Sequence, residues 1–171
     1  NEANTRSFYE GDWTKLAQLT RRAYDTVKIT DPSALVVAAS STVIPDPAFY
    51  DESFFFRYAR ALHRAGDPVD AMAVHLYPVD TTKGPDARAE SIRAAQRVLN
   101  KLGVNRPLWD TEVNYGDRRA GLPQVVPEPQ TAATYVARTY LDSATLGIAR
   151  TYWYGWDLSV LGIDMVDANG I

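Results

Sequence analysis

Apolar and polar positions along this chain fall into two alternating rhythms. After Asp12, which reads as a helix N-cap, Trp13, Leu16, Ala17, Thr20, Ala23, Tyr24 and Val27 recur at helical spacing until Asp31-Pro32 stops them. Residues 35–39 form a short continuous apolar run, the pattern of a strand covered on both faces. A helix is expected from about Asp51 to Ala65, with Phe54, Phe55, Tyr58, Ala59 and Leu62 as its buried stripe and Gly66 as its stop. The pattern then repeats. Residues 69–75 read as a strand left at Pro78, and 87–102 as a helix burying Ile92, Ala95, Leu99 and Leu102 before Gly103. A third strand covers 107–111, a Pro/Gly-bearing loop 116–129, a helix 130–146 closed by Gly147, and a fourth strand 148–154.

Successive strands begin about 36 to 41 residues apart, near Leu35, Ala71, Pro107 and Ile148. Strands and helices alternating at this interval predict βαβ units and a parallel sheet. A closed eight-stranded (β/α)8 barrel uses about 30 residues per unit before insertions. Asn1-Glu2 lies one further unit upstream, so the expected fold class is α/β, a TIM barrel present as about half a barrel. Half a barrel exposes its first and last strands as edges and leaves its inner face bare. The remainder of the barrel is therefore the expected packing partner, and residues 1–171 read as the C-terminal half of one domain whose N-terminal half lies outside this chain.

Composition narrows the function classes. Apolar residues at 46% and charged residues at 23% suit a globular domain, and a net charge of −3 supplies no basic field for nucleic acid or an anionic membrane. No apolar run reaches the length of a membrane span. The absence of cysteine removes disulfides, thiol nucleophiles and thiolate metal sites, and His63 and His75 are too few for a histidine-rich one. Asp110 and Glu112 would share a face of a regular strand, but a carboxylate metal site there lacks a clear third ligand. No metal and no cofactor are expected. Phosphate-cradling glycine motifs are missing, and Ser40-Ser41 lacks the GxSxG context of a nucleophile elbow.

Reactive groups of parallel α/β folds gather at the carboxyl ends of strands. Those positions carry Asn1 and Glu2, Ser40 and Ser41, His75 and Tyr77, Glu112 and Asn114, then Trp153, Tyr154, Trp156 and Asp157. Two glutamates at strand ends are what glycosidic bond cleavage needs. Trp109 reads as core packing, and Trp156 and Asp157 as either pocket rim or loop packing.

Asn1-Glu2 at one strand end, His75-Leu76-Tyr77 two strands later, Thr111-Glu112 on the next and Trp153-Tyr154-Gly155-Trp156 on the last resemble the clan A glycoside hydrolases. The segment Asn1-Glu2-Ala3-Asn4, the helix after Asp12 and Asp31-Pro32-Ser33 are most similar to the family 39-like and family 5-like branches. The resemblance runs the length of the chain, from the tip of strand four through strand eight. It departs in having Ala3 where those branches often have proline, and in lacking strands one to three and a final helix.

The resemblance implies a retaining hydrolase of β-glycosidic bonds, with Glu112 as nucleophile and Glu2 as acid/base. It implies that Asn1 binds the sugar 2-hydroxyl, that Tyr77 orients Glu112, that His75 lines the pocket and that Trp153 forms a stacking floor, with Trp156 also binding substrate. Retention requires carboxyl groups about 5 to 5.5 Å apart, against about 6.5 to 9.5 Å for inversion. A carbohydrate is the expected small-molecule partner, and the acidic balance is consistent with an extracytoplasmic or secreted enzyme. The alternatives are a catalytically inactive glycan-binding barrel and an independent α/β half-barrel domain. Both glutamates are present, which favours the enzyme.

Overall fold

A computed structural model describes residues 1–43, 53–78, 83–116, 127–157 and 162–166. Helices and strands alternate as α1 (Trp13–Thr30), β1 (Ser41–Thr42), α2 (Phe54–Arg64), β2 (Met72–His75), α3 (Gly84–Leu102), β3 (Leu108–Val113), α4 (Pro129–Thr145) and β4 (Arg150–Trp153). The strands form one parallel sheet in the order β1-β2-β3-β4. Each strand adds beside its predecessor, so the order never reverses as it does at the switch point of a doubly wound sheet. Four parallel strands and four helices in this progression are half of a (β/α)8 barrel wall.

Local chemistry sets the helix ends. The Asp12 carboxylate accepts the Lys15 backbone N–H at 2.8 Å to start α1, and Ser53 Oγ accepts that of Phe56 at 3.1 Å to start α2. Asp51, the expected start of α2, lies outside the described residues. After α3, Gly103 takes a left-handed φ of 72° while the Val104 N–H bonds the Leu99 carbonyl at 3.0 Å, a helix stop that suits glycine.

The first strand departs from expectation. Residues 35–39 run beside β2 but share only an isolated bridge, Val37 to Ala71, and regular pairing is confined to Ser41 and Thr42. Ala39 donates its N–H to the Tyr58 hydroxyl at 3.2 Å rather than to a neighbouring strand, which interrupts the ladder. β3 also extends beyond Thr111 to Val113, because a bulge at Thr111 lets pairing resume further on.

The main core lies between the sheet and α1–α3. Phe55, Tyr58, Ala59 and Leu62 of α2 meet Met72 and Val74 of β2 and Ile92, Ala95 and Leu99 of α3. A smaller cluster of Val113, Tyr115 and Ile163 receives Tyr135, Val136 and Trp153. The flanks are less covered: α1 buries only Leu16 and Ala17, its expected stripe residue Ala23 being exposed, and α4 leaves Leu141 66% exposed. Among the described residues no helix is long and apolar enough to cross a membrane. Leu62 is fully enclosed at the centre of the main core, so Leu62→Ala is expected to destabilise the fold by about 2–5 kcal/mol, read as a lower denaturant midpoint.

Candidate active site

The carboxyl ends of the strands converge on Glu2, His75, Tyr77 and Glu112. Glu2 precedes β1 on a segment fastened to that strand. The Ala3 N–H donates to the Ser40 carbonyl at 3.0 Å, Asn4 Nδ2 donates to Thr42 Oγ1 at 2.7 Å, and Asn4 Oδ1 accepts the Thr42 N–H at 3.0 Å. Ala3 is buried, and its N–H bond is one that proline could not make. The departure from the proline pattern therefore gives the segment an additional tie to the sheet.

His75 ends β2 and is 4% exposed. Its Nδ1 lies 3.3 Å from Glu2 Oε1 and 3.8 Å from Glu112 Oε2, between the two carboxyl groups. The Tyr77 hydroxyl donates to the other Glu112 oxygen, Oε1, at 2.7 Å. Burial raises the Tyr77 hydroxyl well above the ordinary tyrosine range, and the bond to and charge of Glu112 add to this, so Tyr77 remains a donor. Tyr154 also bears electrostatically on Tyr77 and is exposed on the loop beyond β4.

One oxygen of Glu2, one oxygen of Glu112 and a ring nitrogen of His75 all lie within 4.8 Å of one another. Three such donors could hold a divalent cation. The third ligand that Asp110 and Glu112 lacked in the sequence is thus supplied to a different pair. Asp110 itself faces away. Register pairs Val74 with Asp110 and His75 with Glu112, leaving Thr111 opposite no residue of β2. This bulge breaks the alternation that would have put Asp110 and Glu112 on one face. Asp110 is fully buried against Arg88 of α3, which donates to its Oδ2 from Nη2 at 2.7 Å and from Nε at 3.1 Å. Burial raises the Asp110 carboxyl to about 6, with Arg88 acting in the opposite direction.

The remaining strand-end residues divide. Trp153 packs on Tyr115, with ring centroids 6.0 Å apart, in the smaller cluster. Trp156 is 68% exposed, and Asn1 and Asp157 are exposed as well. The structure therefore brings Glu2, His75, Tyr77 and Glu112 together and leaves Asn1, Trp153 and Trp156 outside that hydrogen-bonded group. Trp109 is buried, with Tyr152 at 6.2 Å and the Arg150 guanidinium over its ring at 4.6 Å. Asn114 is a clamp: Nδ2 donates to the Tyr154 carbonyl at 2.8 Å and the Ile163 carbonyl at 2.7 Å, holding the segments beyond β4 against β3. A Cβ on nearby Gly162 would come within 2.5 Å of the Tyr115 carbonyl oxygen, which accounts for glycine at this close approach. Ser40 Oγ meets Thr111 Oγ1 at 2.7 Å, and Ser41 is buried, so neither presents a free nucleophile.

No protein-family model and no curated protein sequence matches this chain. Solved structures do. A glucosidase from Croceicoccus marinus aligns over 95% of this chain and 34% of its own, with a TM-score of 0.69 and 14% identity. A GH128 (subgroup I) endo-β-1,3-glucanase from Amycolatopsis mediterranei aligns over 91% of this chain and 59% of its own, with a TM-score of 0.61 and 18% identity. Cel44A, a GH family 44 endoglucanase from Clostridium thermocellum, aligns over 90% of this chain and 41% of its own, with a TM-score of 0.58 and 15% identity. At these identities the likeness is one of fold. This chain's parallel sheet and alternating helices resemble a segment of those proteins' (β/α) barrels, and the chain spans about a third to three fifths of the length of the proteins it matches.

Proposed function

We propose that this chain belongs to a retaining glycoside hydrolase of clan A type that cleaves β-glycosidic bonds. The observation that carries the reading is the approach of the Glu2 and Glu112 oxygens to within 4.8 Å, with Tyr77 anchoring one oxygen of Glu112. An oxygen pair within 4.8 Å leaves no room for the spacing of about 6.5 to 9.5 Å that inversion uses, and favours retention. The barrel-type likeness to a glucosidase and two endoglucanases supports a β-glycoside as the substrate class.

In the proposed reaction Glu112 Oε2 attacks the anomeric carbon while the Glu2 carboxylic acid gives its proton to the departing glycosidic oxygen. A glycosyl ester of Glu112 and a free alcohol result. Glu2, now a carboxylate, takes a proton from water, whose oxygen attacks the same carbon and releases Glu112. Two inversions give net retention. Tyr77 holds Oε1 and leaves Oε2 for attack, and His75 keeps the two carboxyl groups facing one pocket. Asn1 meets the sugar 2-hydroxyl, and Trp153 and Trp156 contribute the aromatic side of the substrate cleft.

The rest of the barrel packs on this half. Support comes from the exposed Leu35 and Tyr152 along the sheet and from Tyr140 and Leu141 on α4, apolar groups at the uncovered boundaries of the wall. Hydrolysis of aryl β-glycosides by the full-length protein, followed by NMR of the first-formed sugar, tests the reading. The β-anomer is expected first; the α-anomer would establish inversion instead. Tyr77→Phe is expected to lower kcat by about 10- to 100-fold, the loss of a hydrogen bond to a charged group, with the fold unchanged. Steady-state kinetics matching those of the parent would remove Tyr77 from the mechanism.

A further inference from the structure

Asp110 stands two residues before Glu112, faces the helices and takes no part in the proposed chemistry. Its contacts nevertheless reach the backbone between two site residues, His75 and Tyr77. Its Oδ1 accepts the Leu76 N–H at 3.2 Å, and the nearby Glu112 N–H favours its charged form. The Leu76 N–H further meets the Glu112 carbonyl at 3.2 Å, joining the two strands where the bulge disturbs their ladder. On the other side of the bulge, Thr111 Oγ1 donates to the Val74 carbonyl at 3.2 Å and meets Ser40 Oγ.

Arg88 holds this carboxylate from α3. Besides Asp110, its Nη1 donates to the Thr139 carbonyl at 3.2 Å and its Nη2 to Ser143 Oγ at 2.7 Å, both on α4. Ser143 Oγ in turn accepts from Thr151 of β4 at 2.8 Å. Arg88 is 1% exposed and Asp110 0%. A buried ion pair of this kind is weak evidence for net stability, since apolar residues of similar volume often serve as well. Its connections suggest another use.

We propose that Asp110, clamped by Arg88, is a positioning residue: it fixes the bulged backbone that aims Glu112 and the His75–Tyr77 segment into one pocket. At the bulge the Leu76 N–H is shared between the Glu112 carbonyl and Asp110 Oδ1, so the carboxylate reinforces the one amide that joins the two strands there. Without that acceptor the strand can relax toward regular alternation, which turns Glu112 away from Glu2. The consequence for turnover rests on the glycosidase reading; the backbone geometry does not.

Two double variants of the full-length protein separate positioning from stability. Arg88→Met/Asp110→Leu replaces the pair with apolar groups and removes the acceptor, while Arg88→Met/Asp110→Asn retains an acceptor oxygen; neither leaves a lone buried charge. The leucine variant is expected to fold, to lose kcat by about 10- to 100-fold and to change KM little, because misplacement acts on the reacting geometry. The asparagine variant is expected to recover most of that loss. Amide hydrogen exchange at Leu76 is expected to accelerate in the leucine variant alone.

A folded leucine variant with parental kcat and parental exchange at Leu76 would overturn the proposal. If the leucine variant does not fold, the asparagine variant decides: it must keep both amide protection and kcat within about tenfold of the parent, and loss of either overturns the proposal. A parent protein that hydrolyses no glycoside would defeat the glycosidase reading, and the exchange pattern would then judge Asp110 on its own.

Discussion

Glu112→Gln is expected to slow hydrolysis of aryl β-glycosides by roughly 10³-fold or more, with little change in KM. Glutamine has nearly the shape of glutamate and can still accept the Tyr77 hydrogen bond at Oε1. What it lacks is a charged oxygen able to form the glycosyl ester. A loss confined to kcat therefore reports chemistry rather than folding. The partner substitution Glu2→Gln should behave differently. Its effect on kcat/KM is expected to be small for aryl leaving groups that depart as stable anions and large for alkyl glycosides that need a proton. Its kcat falls even for aryl substrates, because water attack loses its base. Equal losses of kcat/KM across leaving groups would contradict an acid role for Glu2, and parental turnover by Glu112→Gln would remove the nucleophile.

The second large effect is on stability. Arg88→Met is expected to destabilise the protein by about 3–5 kcal/mol, because it leaves the Asp110 carboxylate buried without its cation. The same change also removes the donors that join α3 to the Thr139 carbonyl and to Ser143. Adding Asp110→Leu to Arg88→Met should restore much of the loss, so the two substitutions are strongly non-additive. Denaturant midpoints of the single and double variants measure this directly. A single variant within about 1 kcal/mol of the parent would show that the pair is not the enclosed ion pair described here.

Much of this architecture was legible in the chain. Parallel strands point their carboxyl ends the same way, so the strand interval alone placed Glu2, His75, Tyr77 and Glu112 at one end of the sheet. Helix boundaries followed caps and stops such as Asp12 and Gly103, whose local chemistry needs no tertiary context.

The facing of individual strand residues was harder. Nothing in Asp110-Thr111-Glu112 announces a bulge, because the extra residue is defined by pairing with β2. The place of Trp153 was hidden for the same reason: its seat in the Tyr115 cluster depends on which strand face it takes beside Val113. Arg88 did leave a trace. It lies four residues before Ile92, on the stripe continued by Ala95 and Leu99, and a charge on a buried helical stripe calls for a partner. The early strand failed for a local reason, the Ala39 N–H bonding Tyr58 of α2 rather than a strand.

Covalent trapping is the sharpest test of the proposed attack of Glu112 on the sugar. A 2-deoxy-2-fluoro β-glycoside with a good aryl leaving group lacks the 2-hydroxyl contact that strengthens in the transition state, so release of a glycosyl ester becomes slow. Mass spectrometry of the full-length protein after incubation is expected to show a single added fluoroglycosyl group on the peptide containing Glu112, absent from Glu112→Gln. Continued hydrolysis with no adduct, or an adduct on another residue, would contradict the account.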